Sequence, residues 1–124
     1  MTITFRDRIV EFTRVPADEL VPHSRNWRTH DEQQKSALSG VLEEIGFAGA
    51  LPERRRTDGR LELIDGHLRA ETSKDQPVPV LILDVDEAEA DNLLAAFDTI
   101  TNMAGRDSQK LADLLQRTSP KHPA

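Results

Sequence analysis

The stretch Leu63-Ile64-Asp65-Gly66-His67-Leu68-Arg69-Ala70 carries the strongest local pattern in this 124-residue sequence. Two apolar residues end a short strand, Gly66 makes a tight turn, and the residues after it begin a helix. The first N–H groups of a helix lack partners inside it, and the helix dipole adds partial positive charge there. Because glycine also lets a ligand approach the backbone closely, the pattern predicts a phosphate site. His67 and Arg69 lie in the first helical turn and are its candidate side-chain contacts.

The same turn also fits a purely structural role. In that alternative Gly66 only makes the turn, His67 caps the helix, and Arg69 pairs with a surface acid. Four residues of this kind match often by chance, so only their position between a strand and a helix supports the phosphate site. Both interpretations stay open on the sequence alone.

A second polar cluster precedes the first long helix. Residues 21–28 contain a proline, a serine and an asparagine, which predicts a loop, and Asn26, Arg28 and His30 lie at its end. The functional interpretation is a second wall of the phosphate site, with Arg28 on a phosphate and Asn26 on a sugar or base. The alternative is a polar loop anchored by Trp27, in which Asn26 satisfies backbone groups.

The residues before this loop predict one strand and one helical turn. Residues 10–15 contain three β-branched residues and Phe12, a composition typical of a strand. Pro16 then presets φ for a helical turn over 16–20. Residues 1–9 alternate poorly between apolar and polar, so we expect a loose lead-in.

The strongest helix pattern follows the loop. Thr29 and Glu32 have the spacing of a capping box, and apolar residues then recur on one face over about 30–45. Gly46 supplies the stop. The predicted inward stripe comprises Ala37, Leu38, Val41, Leu42 and Ile45.

Residues 51–56 and 60–64 flank Asp58-Gly59, a dipeptide typical of a β-hairpin. Pro52 restricts the first arm to an edge position or a strand start. Arginines surround this turn, but alternate residues of a strand point to opposite faces, so they do not form one patch. We expect a solvated edge strand protected by charge, rather than a contact to nucleic acid. The arginines concerned are Arg54, Arg55, Arg56 and Arg60.

The remaining elements alternate between helix and strand. A nearly unbroken apolar run predicts a central strand. An amphipathic stripe after Asp86 and Glu89, which have the spacing of a capping box, predicts a helix. A last helix begins at Ser108, with Leu111, Leu114 and Leu115 inward. The predicted ranges are helix 67–73, strand 78–83, helix 86–97, loop 99–105 and a frayed tail over 118–124.

The element order is therefore β-α-β-β-α-β-α-α, which predicts an α+β domain with a small mixed β-sheet covered by helices. A chain of this length has room for one core. We expect one domain over residues 10–100 and a C-terminal helical segment over 101–117 packing on it, between the lead-in and the tail.

Composition excludes several classes of protein. The sequence has no cysteine, which excludes disulfides, thiolate zinc sites, iron–sulfur clusters and a cysteine nucleophile. No apolar run reaches the ~18 residues of a membrane helix, and residues 1–14 lack the apolar core of a signal peptide. We therefore expect a cytoplasmic protein without a membrane partner. Walker loops, G-x-S-x-G elbows and H-x-x-x-H zinc spacing are also absent from the sequence.

The net charge is −6, from 22 acidic and 16 basic residues, and the surplus is local. It comes from the stretch between Asp84 and Asp98, which has no lysine or arginine, whereas the rest of the chain is balanced. We expect weak or no direct binding of duplex DNA, because general DNA binders carry a basic surplus. Acids in a first helical turn complement the dipole, which explains most of this stretch. Asp98, beside a predicted loop, is the candidate Mg²⁺ ligand, and the alternative is an ordinary surface residue.

Taken in order, these motifs resemble the ParB N-terminal/sulfiredoxin-like domain, often called the ParB-like nuclease domain. The resemblance covers residues 10–100, and the ordered set is more specific than any one of its segments. The matching segments, in chain order, are the strand end and turn at 15–20, Asn26-Trp27-Arg28, the helix end at 42–47, the glycine turn at 63–69 and Val78-Pro79-Val80 with its strand. A helix that starts with acidic residues follows them.

The resemblance implies a nucleotide site. In ParB proteins the glycine–arginine turn holds the triphosphate of CTP with Mg²⁺; in sulfiredoxin the equivalent turn holds ATP phosphates and carries the catalytic cysteine. By this resemblance Gly66 and Arg69 bind phosphate, and Asn26 and Arg28 close over the nucleotide. His67 occupies the position of the cysteine, so sulfiredoxin chemistry is excluded. We expect CTP or ATP as the ligand, with Mg²⁺.

The sequence also departs from the family pattern. Trp27 replaces a common proline, and the E-N-x-x-R segment of partition ParB proteins is not readable, with Asp98 as a partial substitute. The residues after 100 are also too few for a helix-turn-helix domain, so we expect none. We therefore expect a stand-alone version from a partition, phage or plasmid setting, with a DNA-associated protein and a second copy of the chain as candidate partners.

Two other functions stay open. The first is an enzyme on the same fold, a nucleotide hydrolase, kinase or nuclease, with Glu71 and Asp98 as candidate catalytic residues. Asp65 is a further candidate, although its place at the turn favours a structural role. The second is an adaptor whose pocket no longer binds a ligand.

Overall fold

The computed structural model of the protein describes residues 2–26, 29–103 and 108–117. Strands and helices follow one another in the predicted order. Residues 2–8 have no regular structure before the first strand. The elements are β1 (Ile9–Pro16), a 3-10 turn (Ala17–Glu19), α1 (Glu32–Glu44), β2 (Leu51–Arg55), β3 (Leu61–Leu63), α2 (His67–Ser73), β4 (Pro77–Leu83), α3 (Glu87–Met103) and α4 (Ser108–Arg117).

The four strands form one mixed sheet in the order β1-β4-β2-β3. β4 runs antiparallel to β1 and parallel to β2, and β3 closes an antiparallel hairpin with β2. The predicted α+β class with a small mixed sheet is therefore confirmed. The predicted central strand is also confirmed, because β4 lies between two partners.

The core lies on one face of this sheet. Val78, Val80 and Ile82 alternate along β4 and are at most 3% exposed, while the residues between them stay half-buried. This period of two is the expected result for a strand with one face in the core. The side chains that pack around them are Ala17, Leu20, Leu51, Leu61, Leu63 and Ala70.

The hairpin prediction is confirmed, but the prediction of an edge strand is wrong. Gly59 has a φ of 85° at the turn, and the N–H of Arg56 donates to the carbonyl of Arg60 at 2.8 Å. β2 is nevertheless an interior strand, because β4 pairs along its other side. Arg54, instead of being solvated, donates from Nε to Glu62 at 3.1 Å, and both side chains are nearly buried.

Helix α1 is confirmed, but its predicted cap is not. The Asp31 carboxylate accepts the N–H of Gln34 at 2.8 Å, and the Gln34 side chain accepts the N–H of Asp31 at 3.2 Å. This capping box starts two residues after Thr29, since aspartate caps a helix at least as well as threonine. Three of the five residues of the predicted inward stripe, Ala37, Val41 and Ile45, are exposed, whereas Leu38 and Leu42 are half-buried.

Helix α3 begins as predicted and ends later. Asp86 and Glu89 form the expected capping box, with the N–H of Glu89 donating to Asp86 at 2.8 Å. The predicted loop over 99–105 is wrong up to Met103, where the helix ends. No glycine or proline interrupts the sequence between Glu87 and Met103, so nothing local stops the helix.

The last helix, α4, starts at Ser108 as predicted, but Leu114 is 56% exposed rather than inward. The predicted tail over 118–124 lies outside the described residues. None of the helices in the described ranges is long and apolar enough to cross a membrane.

Candidate functional site

Gly66 is held in a conformation and a space that suit glycine. Its φ of 84° and ψ of 25° lie in the left-handed region, where a Cβ is disfavoured. A Cβ built on Gly66 would also overlap the side chain of Leu51, which is 1% exposed. The turn before α2 therefore approaches strand β2 more closely than any other residue type would allow.

Helix α2 starts at His67, and its N-cap residue is Gly66, which has no side chain to form a capping bond. The first bond inside the helix runs from the N–H of Ala70 to the carbonyl of Gly66 at 3.0 Å. The preceding N–H groups of the first turn have no partner inside the helix. They lie at the positive end of a short helix dipole, which favours an anion.

A cavity of about 300 Å³ lies against this turn. It is lined by both predicted clusters, the glycine turn and the end of the preceding loop, together with one residue each from α1 and α3. Residues far apart in sequence therefore share one concave surface. The lining residues are Asn26, His30, Leu38, Asp65, Gly66, His67, Leu68, Arg69 and Leu94.

Arg69 supplies the positive charge of this cavity. Its side chain is half-buried, and its guanidinium lies next to Gly49, where an added Cβ would be 3.4 Å from Nη1. Within residues 2–26, 29–103 and 108–117, no acid forms an ion pair with it. The alternative prediction of a pairing with a surface acid thus finds no support in that part of the chain.

His67 takes a structural role at one of its nitrogens. Its Nε2 accepts the backbone N–H of His23 at 3.0 Å. This bond ties the start of α2 to the loop that carries Asn26. His67 still lines the cavity, but its Nε2 is occupied by the loop.

His23 and Asp91 are functional candidates that the sequence did not reveal as a pair. His23 is 4% exposed, and its Nδ1 accepts the N–H of Arg25 at 3.0 Å. Its Nε2 lies 3.0 Å from an Asp91 oxygen, out of line for a well-formed N–H bond, while the other Asp91 oxygen lies 3.1 Å from Arg25. Asp91 thus connects the loop to α3 through His23 and Arg25. The sequence did not predict these contacts, because they join distant parts of the chain and Asp91 lies among several other acids.

The other predicted site residues lie apart from Arg69 or outside the described residues. Glu71 lines a neighbouring cavity of about 380 Å³ and lies 3.8 Å from Lys35. Arg28 lies outside the described residues. Asp98 belongs to α3, and its side chain is not among those described, so its roles in catalysis and metal binding stay predictions. Among the described residues, no group of three or more histidines and acids could hold a metal ion.

The acidic stretch is partly neutralised by the lead-in. Arg8 lies 2.6 Å from Asp84 through Nε and 2.8 Å from Glu89 through Nη1. The bonds from Arg8 and from the backbone of Asp86 lower the pKa of Glu89 to about 2. The local charge surplus near α3 is thus smaller than the sequence suggests.

Glu53 carries an unexpected buried carboxyl group in the middle of the sheet. It is 0% exposed, between Leu63 on β3 and Ile82 on β4, and neither side-chain oxygen has a partner among the described residues. Removal from water raises its pKa to about 8. The group is therefore largely neutral at physiological pH.

No known family model matches the chain, and no curated protein matches it. Solved structures do. The C-terminally truncated chromosome-partitioning protein ParB from Caulobacter crescentus, complexed with CTP-gamma-S, superposes with a TM-score of 0.62 at 19% identity, covering 79% of this chain and 56% of that one. Sulfiredoxin from Arabidopsis thaliana superposes with a TM-score of 0.55 at 15% identity, covering 68% and 98%.

The chain has the ParB N-terminal/sulfiredoxin-like fold. The same Caulobacter ParB complexed to the centromeric parS site gives a TM-score of 0.52 at 20% identity, covering 65% of this chain and 43% of that one. The chain thus spans about half the length of the ParB structures that it matches. The predicted fold is confirmed, and at these identities the likeness extends to the fold alone.

Proposed function

We propose that this ParB-like domain binds a nucleoside triphosphate, CTP or ATP, with its phosphates at the Gly66 turn. The observation that carries the proposal is the convergence of three features on one cavity: the glycine turn at the start of α2, the guanidinium of Arg69, and the polar side chains of Asn26 and His30. A ParB protein with the same fold is known in complex with a CTP analogue, which supports this choice of ligand.

The chemistry of the site suits phosphate. An arginine can offer two parallel N–H donors to a phosphate group, and helix N–H groups add further donors. Gly66 brings the backbone within reach because no side chain intervenes. Asn26 forms the border between the two neighbouring cavities. Asn26 would therefore bind the sugar or base while Arg69 binds phosphate, and Arg28 would add a second cation.

The described residues are compatible with Mg²⁺ held mainly by the nucleotide. Asp65 is the one carboxylate among the lining residues of the Arg69 cavity. Mg²⁺ sites of nucleotide-binding proteins commonly use one or two carboxylates together with substrate phosphates and water. Asp65 would therefore hold the ion, with Asp98 as a second candidate. The ion would neutralise phosphate charge in the cavity.

Among the described candidates for nucleotide hydrolysis or nuclease activity, Asp65 lines the Arg69 cavity, and we assign it to Mg²⁺ rather than to catalysis. Glu71 lies in the neighbouring cavity beside Lys35, away from the proposed phosphate position. We infer a binding module that works with a DNA-associated protein, in a partition, phage or plasmid setting. Since the excess charge is negative, we expect no tight binding of duplex DNA by this chain alone.

Calorimetric titration with CTP, ATP and GTP, each with Mg²⁺, tests the proposal. We expect Arg69→Ala to weaken nucleotide binding by about 1.5–3 kcal/mol, which is a roughly 10- to 150-fold higher dissociation constant. This is the energy of a charge-assisted hydrogen bond. Arg60→Ala is the matched control, because Arg60 is an exposed arginine of the hairpin. No binding to the wild type at millimolar nucleotide, or equal losses in the two variants, would contradict the proposal.

A further inference from the structure

Strand β1 is the outer strand of the sheet beside β4. In the described ranges its other edge has no strand partner. The backbone groups along that edge can pair with another extended chain. Pro16 ends the edge because it has no N–H to donate.

β1 exposes three apolar side chains next to the charged Glu11 and Arg14, and it lacks the lysines that often protect an edge strand. Ile9 is 48%, Val10 61% and Phe12 51% exposed. Natural edge strands usually carry lysines, prolines or bulges that prevent pairing. Here no lysine occurs in β1, and its register shift lies at Val10, near the N-terminal end. Residues 11–15 therefore remain a regular, exposed edge.

We propose that this edge pairs with β1 of a second copy of the chain. The two strands run antiparallel about a two-fold axis at Thr13 and join two four-stranded sheets into one. This self-pairing does not depend on the proposed nucleotide site, which lies at the start of α2.

Charge selects the register of this pairing. A two-fold axis perpendicular to the sheet places one residue opposite itself, and like charges directly opposite one another are destabilising. An axis at Glu11 would oppose two glutamates, and an axis at Arg14 would oppose two arginines. An axis at Phe12 would place the irregular residue Val10 opposite Arg14. Thr13 remains as the centre of the regular edge.

In the Thr13 register the two strands are chemically complementary. Thr13 faces its own copy, a favourable cross-strand pair, and Phe12 faces the partner's Arg14 on both sides of the axis. Within one chain the Arg14 guanidinium carbon already lies 5.1 Å from the centre of the Phe12 ring. Each ring would then receive a second guanidinium, an arrangement that stabilises through cation–π attraction. A strand of unrelated sequence would not provide these two symmetric contacts.

Disulfide trapping tests the register directly, because the chain has no cysteine of its own. With Thr13→Cys, the two sulfur-bearing residues would have Cα atoms about 4.5–5.5 Å apart, within the range of a disulfide. Glu11→Cys is the matched control on the same strand and face. Its two copies would be four residues apart along the strands, roughly 13 Å, which is too far to bridge.

We expect mild oxidation to convert Thr13→Cys into a covalent dimer and to leave Glu11→Cys monomeric. Equal cross-linking of the two variants, or none in Thr13→Cys with its fold intact by circular dichroism, would overturn the register. If Glu11→Cys alone cross-links, the axis lies at Glu11 and the charge argument is wrong.

Sedimentation of the cysteine-free chain tests the association itself. An edge-to-edge contact is small, so we expect a dimer with a dissociation constant on the order of 10–100 μM. Phe12→Lys should weaken it about tenfold or more, because it replaces both aromatic contacts with a charge facing the partner's arginine. Gln33→Lys on α1 is the control and should leave the dimer unchanged. A wild-type chain that stays monomeric at millimolar concentration contradicts the proposal. This holds even if the edge pairs with a strand of another protein, because the proposed occupant is a second copy of this chain.

Discussion

Gly66 combines a backbone angle and a contact that can be separated by experiment. Gly59 has nearly the same φ, 85° against 84°, but a Cβ there meets no atom within 4 Å, whereas a Cβ at Gly66 overlaps Leu51. Gly59→Ala therefore costs backbone strain of about 1–2 kcal/mol. Gly66→Ala adds an overpacking cost of about 1–3 kcal/mol. Urea unfolding should place Gly66→Ala clearly below Gly59→Ala in free energy of unfolding, and equal losses would mean that Leu51 moves aside freely.

Glu53 makes stability fall as pH rises. Its pKa is about 8 in the folded chain and has an ordinary value of 4.5, so folding takes up a proton between these values. The stabilising effect of the neutral form is complete below pH 4.5 and is lost as pH rises towards 8.

Glu53→Gln keeps the shape of the side chain and removes its ability to ionise. We expect its free energy of unfolding, relative to wild type, to increase by at least about 2 kcal/mol from pH 5 to pH 8. Urea unfolding at the two pH values gives this difference. Glu43→Gln, on the exposed side of α1, is the control and should show no such trend. A constant difference for Glu53→Gln would mean that water reaches the carboxyl group.

At the scale of elements, the lead-in and α3 are coupled through Arg8. Its bond to Glu89 holds the pKa of that carboxyl near 2, and the backbone N–H of Asp86 contributes less. In Arg8→Ala we expect the pKa of Glu89 to rise towards its ordinary value, while the capping bond to Asp86 keeps it slightly low. Side-chain carboxyl shifts followed by NMR against pH measure this directly.

This ion pair also has a defined pH range. Because the pKa of Glu89 is lowered on folding, the pair stabilises the fold above the ordinary pKa, and the effect disappears as pH falls towards 2. An unchanged Glu89 titration in Arg8→Ala would assign the low pKa to the helix start instead.

Elements whose signal is local were predictable, and those whose place depends on distant pairing were not. Asp58-Gly59 forms its hairpin from turn chemistry alone, and the apolar run of β4 identifies a buried strand. The position of β2 inside the sheet depends on β4, which follows it by some twenty residues, so the arginines suggested an edge. Pro52 allowed either an edge or a strand start, and it lies at the start of β2. The cap of α1 was misassigned for a different reason, since Thr29 and Asp31 both begin a plausible box and only the fold chooses between them.

The candidate site shows the same division at the scale of the whole molecule. Gly66 and Arg69 lie three residues apart and were recognisable from one strand–turn–helix pattern. The meeting of Asn26 and His30 with that turn was one of two interpretations that the residues of their loop left open, and the family resemblance supported it for Asn26 only. The attachment of the loop through His23 and Asp91 had no sequence signal, because neither residue type nor spacing reveals a contact between a loop and a distant helix.

Nucleotide binding and self-pairing should appear separately in the stability of the whole molecule. A ligand that binds the folded chain at 100 times its dissociation constant stabilises it by about 2.7 kcal/mol. For a domain of this size that corresponds to a rise in Tm of roughly 10 °C. Self-pairing instead makes Tm rise with protein concentration, with or without nucleotide.

Two variants divide these effects. Arg69→Ala should lose the nucleotide shift and keep the concentration dependence, whereas Phe12→Lys should do the reverse. Scanning fluorimetry on a grid of protein and nucleotide concentrations measures both at once. If nucleotide leaves Tm unchanged in every variant while Phe12→Lys still removes the concentration dependence, the pocket does not bind nucleotide and the pairing stands. If a single variant removes both the nucleotide shift and the concentration dependence of Tm, nucleotide binding and self-pairing are coupled rather than independent.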